Sequence, residues 1–401
     1  MKPLTGVKVV SINHFLVGPA AMQTLGDLGA DVIAVEPLDG AFQRKWAGAD
    51  QYVDGQSVLF LCANRNKRSV AVDLKTERGV EIVRRLMAEA DVVAENFRPG
   101  VMERLGLGYE TLKADNPGLI YAVASGYGAD GPYVERPGQD MLIQALSGLA
   151  AVTGDTGDGA RAVGVSAVDH HGAMILAMGI LAALLERNRT GQGCRVDVNL
   201  LTSALDLQME ALTCFLNGGG QDTVRHPPYS GGWMFPPPYG IYPTTDGHLA
   251  ISLVDLSLLA DIFGDESLTA LAGDVYKNGE AICAAVARAT SQRSTGEWEA
   301  TLTAHKIWHA PVNDYAAVVK DPQVRHLDSF ATLEGATGTP VHVVRHPVRY
   351  DGRTPEIERV PQPLGAQTRE VLQELGYGEQ DIEDMIAAGV VGAQDAPPAN
   401  P

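Results

Sequence analysis

The first part of the chain alternates short apolar runs with amphipathic segments. Residues 7–12 are mostly apolar and have the length of a short, fully buried strand, and residues 31–36 predict a second strand. Between them, Gly18-Pro19 predicts the start of a helix, because proline suits the first helical turn, and Gly29 predicts its end. A strand, a helix and a strand in this order indicate a right-handed βαβ unit and a parallel sheet.

The same alternation continues to about residue 205. The predicted elements are a strand at 70–74, a helix at 76–90, strands at 91–95 and 119–124, a strongly apolar helix at 166–188 and a strand at 193–198. Strands that alternate with helices in this way predict an α/β fold with a large, doubly wound, Rossmann-like domain.

The composition changes in the middle of the chain. Residues 217–240 are rich in glycine, proline and aromatic residues, which is typical of a linker or a binding loop. A strand at 342–349 and two helices within 367–388 are predicted to return to the first domain, and residues 394–401 are predicted to fray. The predicted organisation is a large domain at 1–205 and 326–401, a linker and loop at 206–240, and a smaller α+β domain at 241–325.

Composition and charge limit the partners and the compartment. The 401 residues include 31 Lys and Arg against 49 Asp and Glu, a net charge of −18, which argues against binding to duplex nucleic acid. The four cysteines form no CxxC pair, so neither a disulfide framework nor a zinc-thiolate site is expected. The N-terminus lacks the pattern of a signal peptide, and the longest apolar stretch, 172–185, is shorter than a membrane span. We expect a cytoplasmic protein without a membrane partner.

The turn after the first strand tests whether the βαβ unit binds a dinucleotide. Glu36 ends the second strand, where an acid that binds a ribose would lie. However, residues 13–19 lack the GxGxxG pattern that allows the backbone to approach a pyrophosphate. NAD or FAD is therefore not expected.

Two pairs of histidines have spacings that merit a test as metal ligands. His305 and His309 are four residues apart, but a lysine replaces the glutamate of HExxH and Pro311 follows at once. His170 and His171 are adjacent and point in different directions on a helix. No metal site is predicted, and the role of the His305/His309 pair stays open.

A basic segment at residues 64–68 stands out in the acidic chain. It is either a solvated loop or a loop that binds phosphate, since arginine and lysine beside a strand can hold a polyanion. Lys75, Arg98 and Arg104 follow on neighbouring predicted strand ends and loops, where α/β folds bind their ligands. Together these cations favour a site for a nucleotide-like phosphate.

The candidates for a nucleophile are carboxylates, because the chain has no GxSxG motif and no cysteine in an electropositive turn. Asp169 lies near the start of the predicted helix at 166–188, whose dipole is expected to keep it ionised and able to attack an acyl carbon. Asp140 precedes another apolar run and is expected to lie near by. An aspartate at a helix start is also a common cap, so its chemistry stays open at this point.

Several segments in the right order resemble the class III CoA-transferases, the family of carnitine and formyl-CoA CoA-transferases, to which α-methylacyl-CoA racemase is related. The resemblance covers nearly the whole chain. It lies in the Gly18-Pro19 turn and in residues 28–37, 64–69, 72–75, 95–100, 104–106, 125–128, 144–148 and 190–198.

The resemblance implies that Asp169 is the catalytic aspartate. In these transferases the carboxylate attacks an acyl-CoA thioester to give a mixed anhydride, and an aspartyl-CoA thioester then forms, which the acceptor acid intercepts. Thioesters of coenzyme A would be substrates, no cofactor would be bound permanently, and the chain would form an interlocked, ring-like homodimer. The implied CoA-binding residues are Leu16, Val17, Lys67, Arg68, Val72, Asp73, Leu74, Lys75, Asn96, Phe97, Arg98 and Arg104.

The racemase branch is the main alternative. It shares the aspartate at position 169 but also uses a histidine just before the acid that corresponds to Asp140, because proton abstraction needs an acid/base partner. This chain has Gln139 instead, which favours transfer. A third hypothesis is a protein that binds coenzyme A without turnover, which the presence of Asp169 disfavours. Asp140 and Gln139 remain supporting active-site candidates.

The acyl pocket is the least determined part of the resemblance. The glycine-rich substrate loop of formyl-CoA transferases is not evident, and residues 214–219 and 230–236 resemble the carnitine side of the family more. Oxalate is therefore not expected as acceptor, and neither the donor nor the acceptor acid is identified. The candidates for the acyl pocket are Tyr229, Gly231, Gly232 and Trp233.

Overall fold

The computed structural model describes residues 1–218, 225–335 and 338–394. The chain forms two compact units. Unit 1 comprises Met1–Ile143, Ser166–Ala204 and Arg325–Pro401, and unit 2 comprises Gln144–Val165 and Leu205–Val324. Residues 144–165 thus belong to unit 2. The predicted domain boundaries stay a prediction, which limited proteolysis can test.

The strands, in chain order, are β1 Lys8–Ile12, β2 Asp31–Glu36, β3 Tyr52–Val53, β4 Gln56–Ser57, β5 Lys67–Val72, β6 Val92–Glu95, β7 Ile120–Ser125, β8 Arg195–Asn199, β9 Gly240–Pro243, β10 His248–Ile251, β11 His309–Pro311, β12 Phe330–Glu334, β13 Pro340–Val344 and β14 Val391–Gly392.

The helices are α1 Val17–Asp27, α2 Phe42–Lys45, α3 Val58–Leu61, α4 Glu77–Ala88, α5 Val101–Arg104, α6 Tyr109–Asp115, α7 Asp140–Leu146, α8 Leu149–Val152, α9 Ala167–Thr190, α10 Leu200–Leu207, α11 Met209–Asn217, α12 Leu256–Phe263, α13 Ser267–Leu271, α14 Gly279–Thr290, α15 Thr295–Ala304, α16 Tyr315–Val318, α17 Pro322–His326, α18 Thr368–Glu374 and α19 Glu379–Ala387.

Unit 1 is built on a sheet of seven strands in the order β14-β5-β2-β1-β6-β7-β8. All neighbours pair in parallel except β14, which runs antiparallel to β5. The predicted α/β class with a large parallel sheet is therefore confirmed. The order of the strands reverses at β1, and ligands of such sheets bind at the carboxyl ends of the strands on either side of the reversal.

Both faces of this sheet are covered, as a parallel sheet requires. Val10 packs in one core cluster with Ile82 of α4, Leu112 of α6 and Val371 of α18. Val9, the preceding residue of β1, points to the opposite face because side chains alternate along a strand, and it is also fully buried. Helices α1 and α9 pack against each other, and α9 also contacts β7 and β8.

Strand β5 differs from the sequence prediction at its start. It begins at Lys67, three residues before the predicted strand at 70–74, and all of its residues are buried. The basic residues at 67 and 68 therefore lie in a strand, and the expectation that they belong to a loop is wrong. Their charges have partners inside the protein, which allows a charged side chain to start a buried strand.

Helix α9 is long and apolar enough to cross a membrane, judged by its length and composition alone, and it is the one such helix in the described part of the chain. It runs over 24 residues, and its buried positions include Val168, Leu176 and Ile180. A core helix passes the same test, so one helix of this kind is not enough to make a membrane protein.

Unit 2 contains an antiparallel sheet in the order β11-β10-β9 and a core formed with α12, α14 and α15. Tyr242 and Trp298 are among the buried residues of this core. The predicted linker is helical over Met209–Asn217, and its Gly219 and Gly220 lie outside the described residues. The predicted fraying of 394–401 also lies outside them, except at Gln394.

Candidate active site

Asp169 lies in the first turn of α9 and is only 9% exposed. The residue before the helix, Ser166, makes no capping hydrogen bond with its side chain. Asp140, at the start of α7, takes this role instead: its Oδ2 accepts hydrogen bonds from the backbone N–H groups of Val168 and Asp169, both at 2.9 Å. Asp140 therefore caps α9, and the carboxylate of Asp169 stays available for chemistry.

The environment of Asp169 disfavours its charge. Within residues 1–218, 225–335 and 338–394 its carboxylate has no hydrogen-bond or ion-pair partner. Burial raises the pKa of Asp169 to about 7, and the negative charge of Asp140 adds to the shift. The helix dipole is expected to keep Asp169 ionised, but desolvation and a second carboxylate outweigh it and favour the neutral acid.

Two glycines bring Asp140 to this position. A Cβ atom on Gly126, just after β7, would lie 2.6 Å from the Cα of Gly138, and a Cβ on Gly138 would lie 2.3 Å from the Cα of Gly126. No other residue fits this close approach, which returns the chain to the end of β7 immediately before α7. Gln139, between Gly138 and Asp140, is exposed.

The turn between β1 and α1 packs beside the helix of Asp169. A Cβ atom on Gly172, one helical turn after Asp169, would lie 3.4 Å from Cγ2 of Val17. A Cβ on Gly18 would lie 2.1 Å from Oδ1 of Asn13, so this position requires glycine. The segment of Leu16 and Val17, assigned to coenzyme A by the resemblance, thus lies close to the start of α9.

Hydrogen bonds join the carboxyl ends of β1 and β6. The N–H of His14 donates to Oδ1 of Asn96 at 2.9 Å, and Nδ2 of Asn96 donates to the carbonyl of His14 at 2.7 Å. The rings of His14 and Phe97 also lie in contact, with centroids 5.4 Å apart. The turn that leads into residues 16–17 therefore contacts the predicted CoA-binding segment 96–98 at the point where the strand order reverses.

Three predicted phosphate ligands are exposed at this edge. Lys75 follows β5, Arg98 follows β6 and Arg104 ends α5. None of the three forms an ion pair with a residue in the described part of the chain. Of the remaining predicted contacts, Val72 is buried, whereas Asp73 and Leu74 are half-buried.

Lys67, in contrast, is used inside the protein. It is 3% exposed, and its Nζ donates to the carbonyls of Pro19 and Ala63 and to Oδ1 of Asn64, each at 2.8 Å. Burial lowers the pKa of Lys67 to about 7. These bonds join β5 to the start of α1.

Arg68 forms ion pairs within the protein. Its guanidinium is bidentate to Asp31, on the neighbouring strand, and Nη1 donates to Glu374 at 2.8 Å and to Glu370 at 3.1 Å. These hydrogen bonds and ion pairs occupy most of the donors of Lys67 and Arg68, so few remain to bind a phosphate. The CoA-binding role of Lys67 and Arg68 stays a prediction that this geometry does not favour.

One acyl-pocket candidate lines a cavity in unit 2. Trp233 lines a space of about 150 Å³ whose other lining residues are Ser147, Gly148, Ala151, Val152, Gln208, Ala211, Leu212 and Phe215. Tyr229, Gly231 and Gly232 do not line it. A Cβ atom on Gly231 would lie 2.6 Å from the ring of Tyr239, so this glycine serves packing.

The two histidines singled out by their spacing do not share a helix. Helix α15 ends before His305, and His309 lies on β11. His305 Nδ1 contacts the carbonyl of Thr301, and His309 Nδ1 contacts that of Ile307. In the described part of the chain, His, Cys, Asp and Glu do not gather in threes or more in a way that would hold a metal ion.

Two features escaped the sequence reasoning. The first is the capping of α9 by Asp140, which no local signal indicates because 29 residues separate the donor Asp169 from the acceptor Asp140. The second is an exposed set of aromatic rings that includes Phe15, Phe42 and Trp46. The ring contacts join segments that only the fold brings together.

The profile of one protein family, described as CoA-transferase family III, matches residues 4–368. This chain belongs to that family. The transferase is 34% identical to mouse succinyl-CoA:glutarate CoA-transferase, over 98% of this chain and 91% of the relative. It is 32% identical to the succinate–glutarate CoA-transferase of Agrobacterium fabrum, over 93% of this chain and 96% of the relative.

Solved structures show the same fold as this family III CoA-transferase. A CAIB/BAIF family protein from Brucella suis is 32% identical, with a TM-score of 0.80 over 93% of this chain and 99% of that chain. The expected family and the expected enzyme class, a CoA-transferase, are thus confirmed.

Proposed function

We propose that this transferase moves coenzyme A from an acyl-CoA donor to a carboxylic acid acceptor through covalent intermediates on Asp169. The observation that carries the proposal is the Asp169 carboxylate, which is buried and without a partner among the described residues. It lies at the start of α9, beside the turn of Val17. The named activities of the relatives support the reaction class.

The proposed chemistry begins with attack by an oxygen of Asp169 on the thioester carbonyl carbon. The C–S bond breaks, and a mixed anhydride and the thiolate of coenzyme A result. The thiolate attacks the aspartyl carbonyl carbon, which releases the donor acid as its carboxylate and leaves an aspartyl-CoA thioester. The acceptor carboxylate then attacks that carbon, the C–S bond breaks, and a second mixed anhydride and the coenzyme A thiolate result. The thiolate attacks the acceptor's carbonyl carbon in this anhydride and displaces the Asp169 carboxylate. This gives the product thioester and free Asp169.

The raised pKa of Asp169 fits this nucleophile. Only the ionised carboxylate attacks, so the active form accumulates as the pH rises through the pKa of about 7. A carboxylate held away from water has less hydration to lose before it reaches the acyl carbon.

Coenzyme A is proposed to bind at the carboxyl edge of the sheet, along residues 16–17, 72–75 and 96–98 and at Arg104. The support is the meeting of the β1 and β6 ends and the absence of ion pairs on Lys75, Arg98 and Arg104 within the described residues. Lys67 and Arg68 are proposed to stabilise β5 instead.

The interlocked homodimer is proposed from an uncovered apolar face of α9. Met174, Met178 and Leu185 are 45%, 63% and 73% exposed, and they recur at helical spacing on one side. A partner subunit would cover such a face. Sedimentation velocity tests this, and a monomer at micromolar concentration contradicts it.

The cytoplasmic location stays a prediction.

The experiment that tests the function is chemical trapping. The protein is incubated with acyl-CoA, treated with hydroxylamine or borohydride, and digested for peptide mass mapping. Succinyl-CoA is the first donor and glutarate the first acceptor, because relatives are named for them, followed by short hydroxy and aromatic acids. An adduct at Asp169, absent from Asp169→Asn, is the expected result. No adduct, together with entry of deuterium from D₂O into the α-carbon, contradicts transfer and favours racemisation.

A further inference from the structure

Five aromatic rings form a continuous row at the carboxyl edge of the unit 1 sheet. The centroid distances are 5.4 Å between Phe97 and His14, 5.1 Å between His14 and Phe15, 5.0 Å between Phe15 and Phe42, and 5.5 Å between Phe42 and Trp46. We call these five residues the aromatic row. Contacts at these distances are typical of packed aromatic pairs.

The outer half of the row faces solvent in the single chain. Phe15 is 37% exposed, Phe42 51% and Trp46 49%. Isolated exposed apolar side chains need no explanation, but a contiguous patch of large rings is typical of a binding surface.

Partly buried hydrogen bonds of Gln43 and Arg44 hold the segment that carries the outer rings. Phe42 begins α2, and Trp46, which follows the last residue of α2, contacts its ring. Gln43, 3% exposed, accepts the N–H of Phe15 at 3.0 Å. Arg44 is bidentate to Glu36, at 2.6 and 2.7 Å.

Phe15 has a strained backbone. Its φ is +59°, in the left-handed region that a bulky residue rarely adopts. Strain of this kind persists where the surroundings impose it, and it concentrates at functional sites. Here the hydrogen bond from Phe15 to Gln43 fixes the ring against Phe42.

The row connects the parts of the proposed reaction centre. Phe15 is two residues before Val17, which packs beside Gly172, one helical turn after Asp169. At its other end, Phe97 belongs to the segment 96–98. The rings therefore extend from the coenzyme segment past the turn that adjoins the nucleophile's helix.

We propose that the aromatic row binds the acyl group of the thioester, and that this group is apolar, either aliphatic or aromatic. The proposal rests on the proposed function, since it assigns the substrate class of that reaction. The charges beside the row support it. Both cations of α2 are engaged, Arg44 by Glu36 and Lys45 by Asp39 at 2.6 Å. A second carboxylate beside Phe42 and Trp46 would therefore find no free cation on α2. Arg98, which has no ion pair among the described residues, lies at the other end of the row, next to Phe97.

Two measurements test the proposal, on the wild type and on Phe42→Ser and Trp46→Ser. Calorimetry compares the binding of acetyl-, butyryl-, hexanoyl-, benzoyl- and succinyl-CoA, and needs no turnover. Transfer assays with the same donors then give kcat/KM. The control is Phe330→Ser on β12, a phenylalanine that is 39% exposed and outside the row. Sedimentation velocity is run on every variant.

In the wild type we expect affinity and kcat/KM to rise about fourfold for each methylene buried, with succinyl-CoA weaker than butyryl-CoA. We expect Phe42→Ser and Trp46→Ser to flatten this series, with the largest loss for hexanoyl-CoA and the smallest for acetyl-CoA, and Phe330→Ser to leave it intact. A wild-type preference for succinyl-CoA, or an equal loss for all donors, overturns the proposal. So does a shift from dimer to monomer in the row variants alone. If calorimetry shows the series but no donor is turned over, the proposed function fails and the acyl site stands.

Discussion

Two buried charged clusters of unit 1 are built in opposite ways. At the start of β5, Lys67 Nζ donates to three oxygen atoms, each at 2.8 Å. At the start of α9, Asp140 accepts two N–H groups, whereas the neighbouring Asp169 carboxylate has no partner in the described part of the chain. Burying a charge without a partner costs stability. Buried charges with partners thus stabilise the fold, whereas the buried carboxylate without a partner among the described residues is the candidate for chemistry.

The largest expected effect is the loss of kcat in Asp169→Asn. The amide keeps the shape of the side chain but cannot form the anhydride, so kcat should fall on the order of 10³-fold or more. Steady-state transfer assays measure this. A variant that retains a tenth of the activity would contradict the role of Asp169.

Asp169→Asn should lower activity but raise the free energy of unfolding above pH 7. Asp169 has a folded pKa of about 7, raised above its ordinary value, so its favourable contribution is present at low pH and is lost as the pH rises through about 7. Asp169→Asn should therefore match the wild type in urea unfolding near pH 4 and exceed it at pH 8. Equal stability at pH 8 would contradict the raised pKa.

The second effect concerns the satisfied cluster. Lys67→Met removes the donor from three acceptors, and the free energy of unfolding should fall by about 3 kcal/mol. Urea unfolding measures the loss. The KM for acyl-CoA, assayed well below the unfolding midpoint, should stay as in the wild type. A stable variant with a tenfold higher KM would contradict the structural role of Lys67 and make it a coenzyme ligand.

The third effect concerns the arginines without an ion pair in the described residues, at the exposed carboxyl edge of the unit 1 sheet. Arg98→Ala and Arg104→Ala should each raise the KM for acyl-CoA about tenfold, the loss of one charge-assisted hydrogen bond, without lowering the unfolding midpoint. The effect should shrink at high salt. Arg189→Ala is the matched control, because this exposed arginine pairs with Glu186 near the end of α9. An unchanged KM in both edge variants would contradict the proposed coenzyme site.

The smallest effect comes from Asp140→Asn. Asparagine keeps an oxygen that accepts the N–H groups of Val168 and Asp169 but removes the negative charge that raises the pKa of Asp169. The pH at which kcat/KM is half-maximal should move to a lower value, with a loss of stability of about 1 kcal/mol or less. A pH profile identical to that of the wild type would show that the two carboxylates are not coupled.

The accuracy of the sequence predictions differed between local and long-range features. Periodicity and the glycine and proline positions predict strands at 31–36 and 119–124 and a helix at 166–188. The structure confirms these elements at Asp31–Glu36, Ile120–Ser125 and Ala167–Thr190. The exposed Lys75, Arg98 and Arg104 were placed at the sheet edge by the rule that parallel strands end together. The start of β5 was missed because Lys67 and Arg68 look like loop residues, and only their distant partners make them strand residues.

Local periodicity and motifs in a fixed order are enough to predict the α/β class, the family and the position of Asp169 at a helix start. Which charges are paired follows only from the folded chain. The fold made Asp140 the cap of α9, engaged Lys67 and Arg68, and joined Phe15 to Phe42 and Trp46. The physical reason is that desolvation and hydrogen bonding depend on neighbours in space, which residues far apart in the chain supply only after folding.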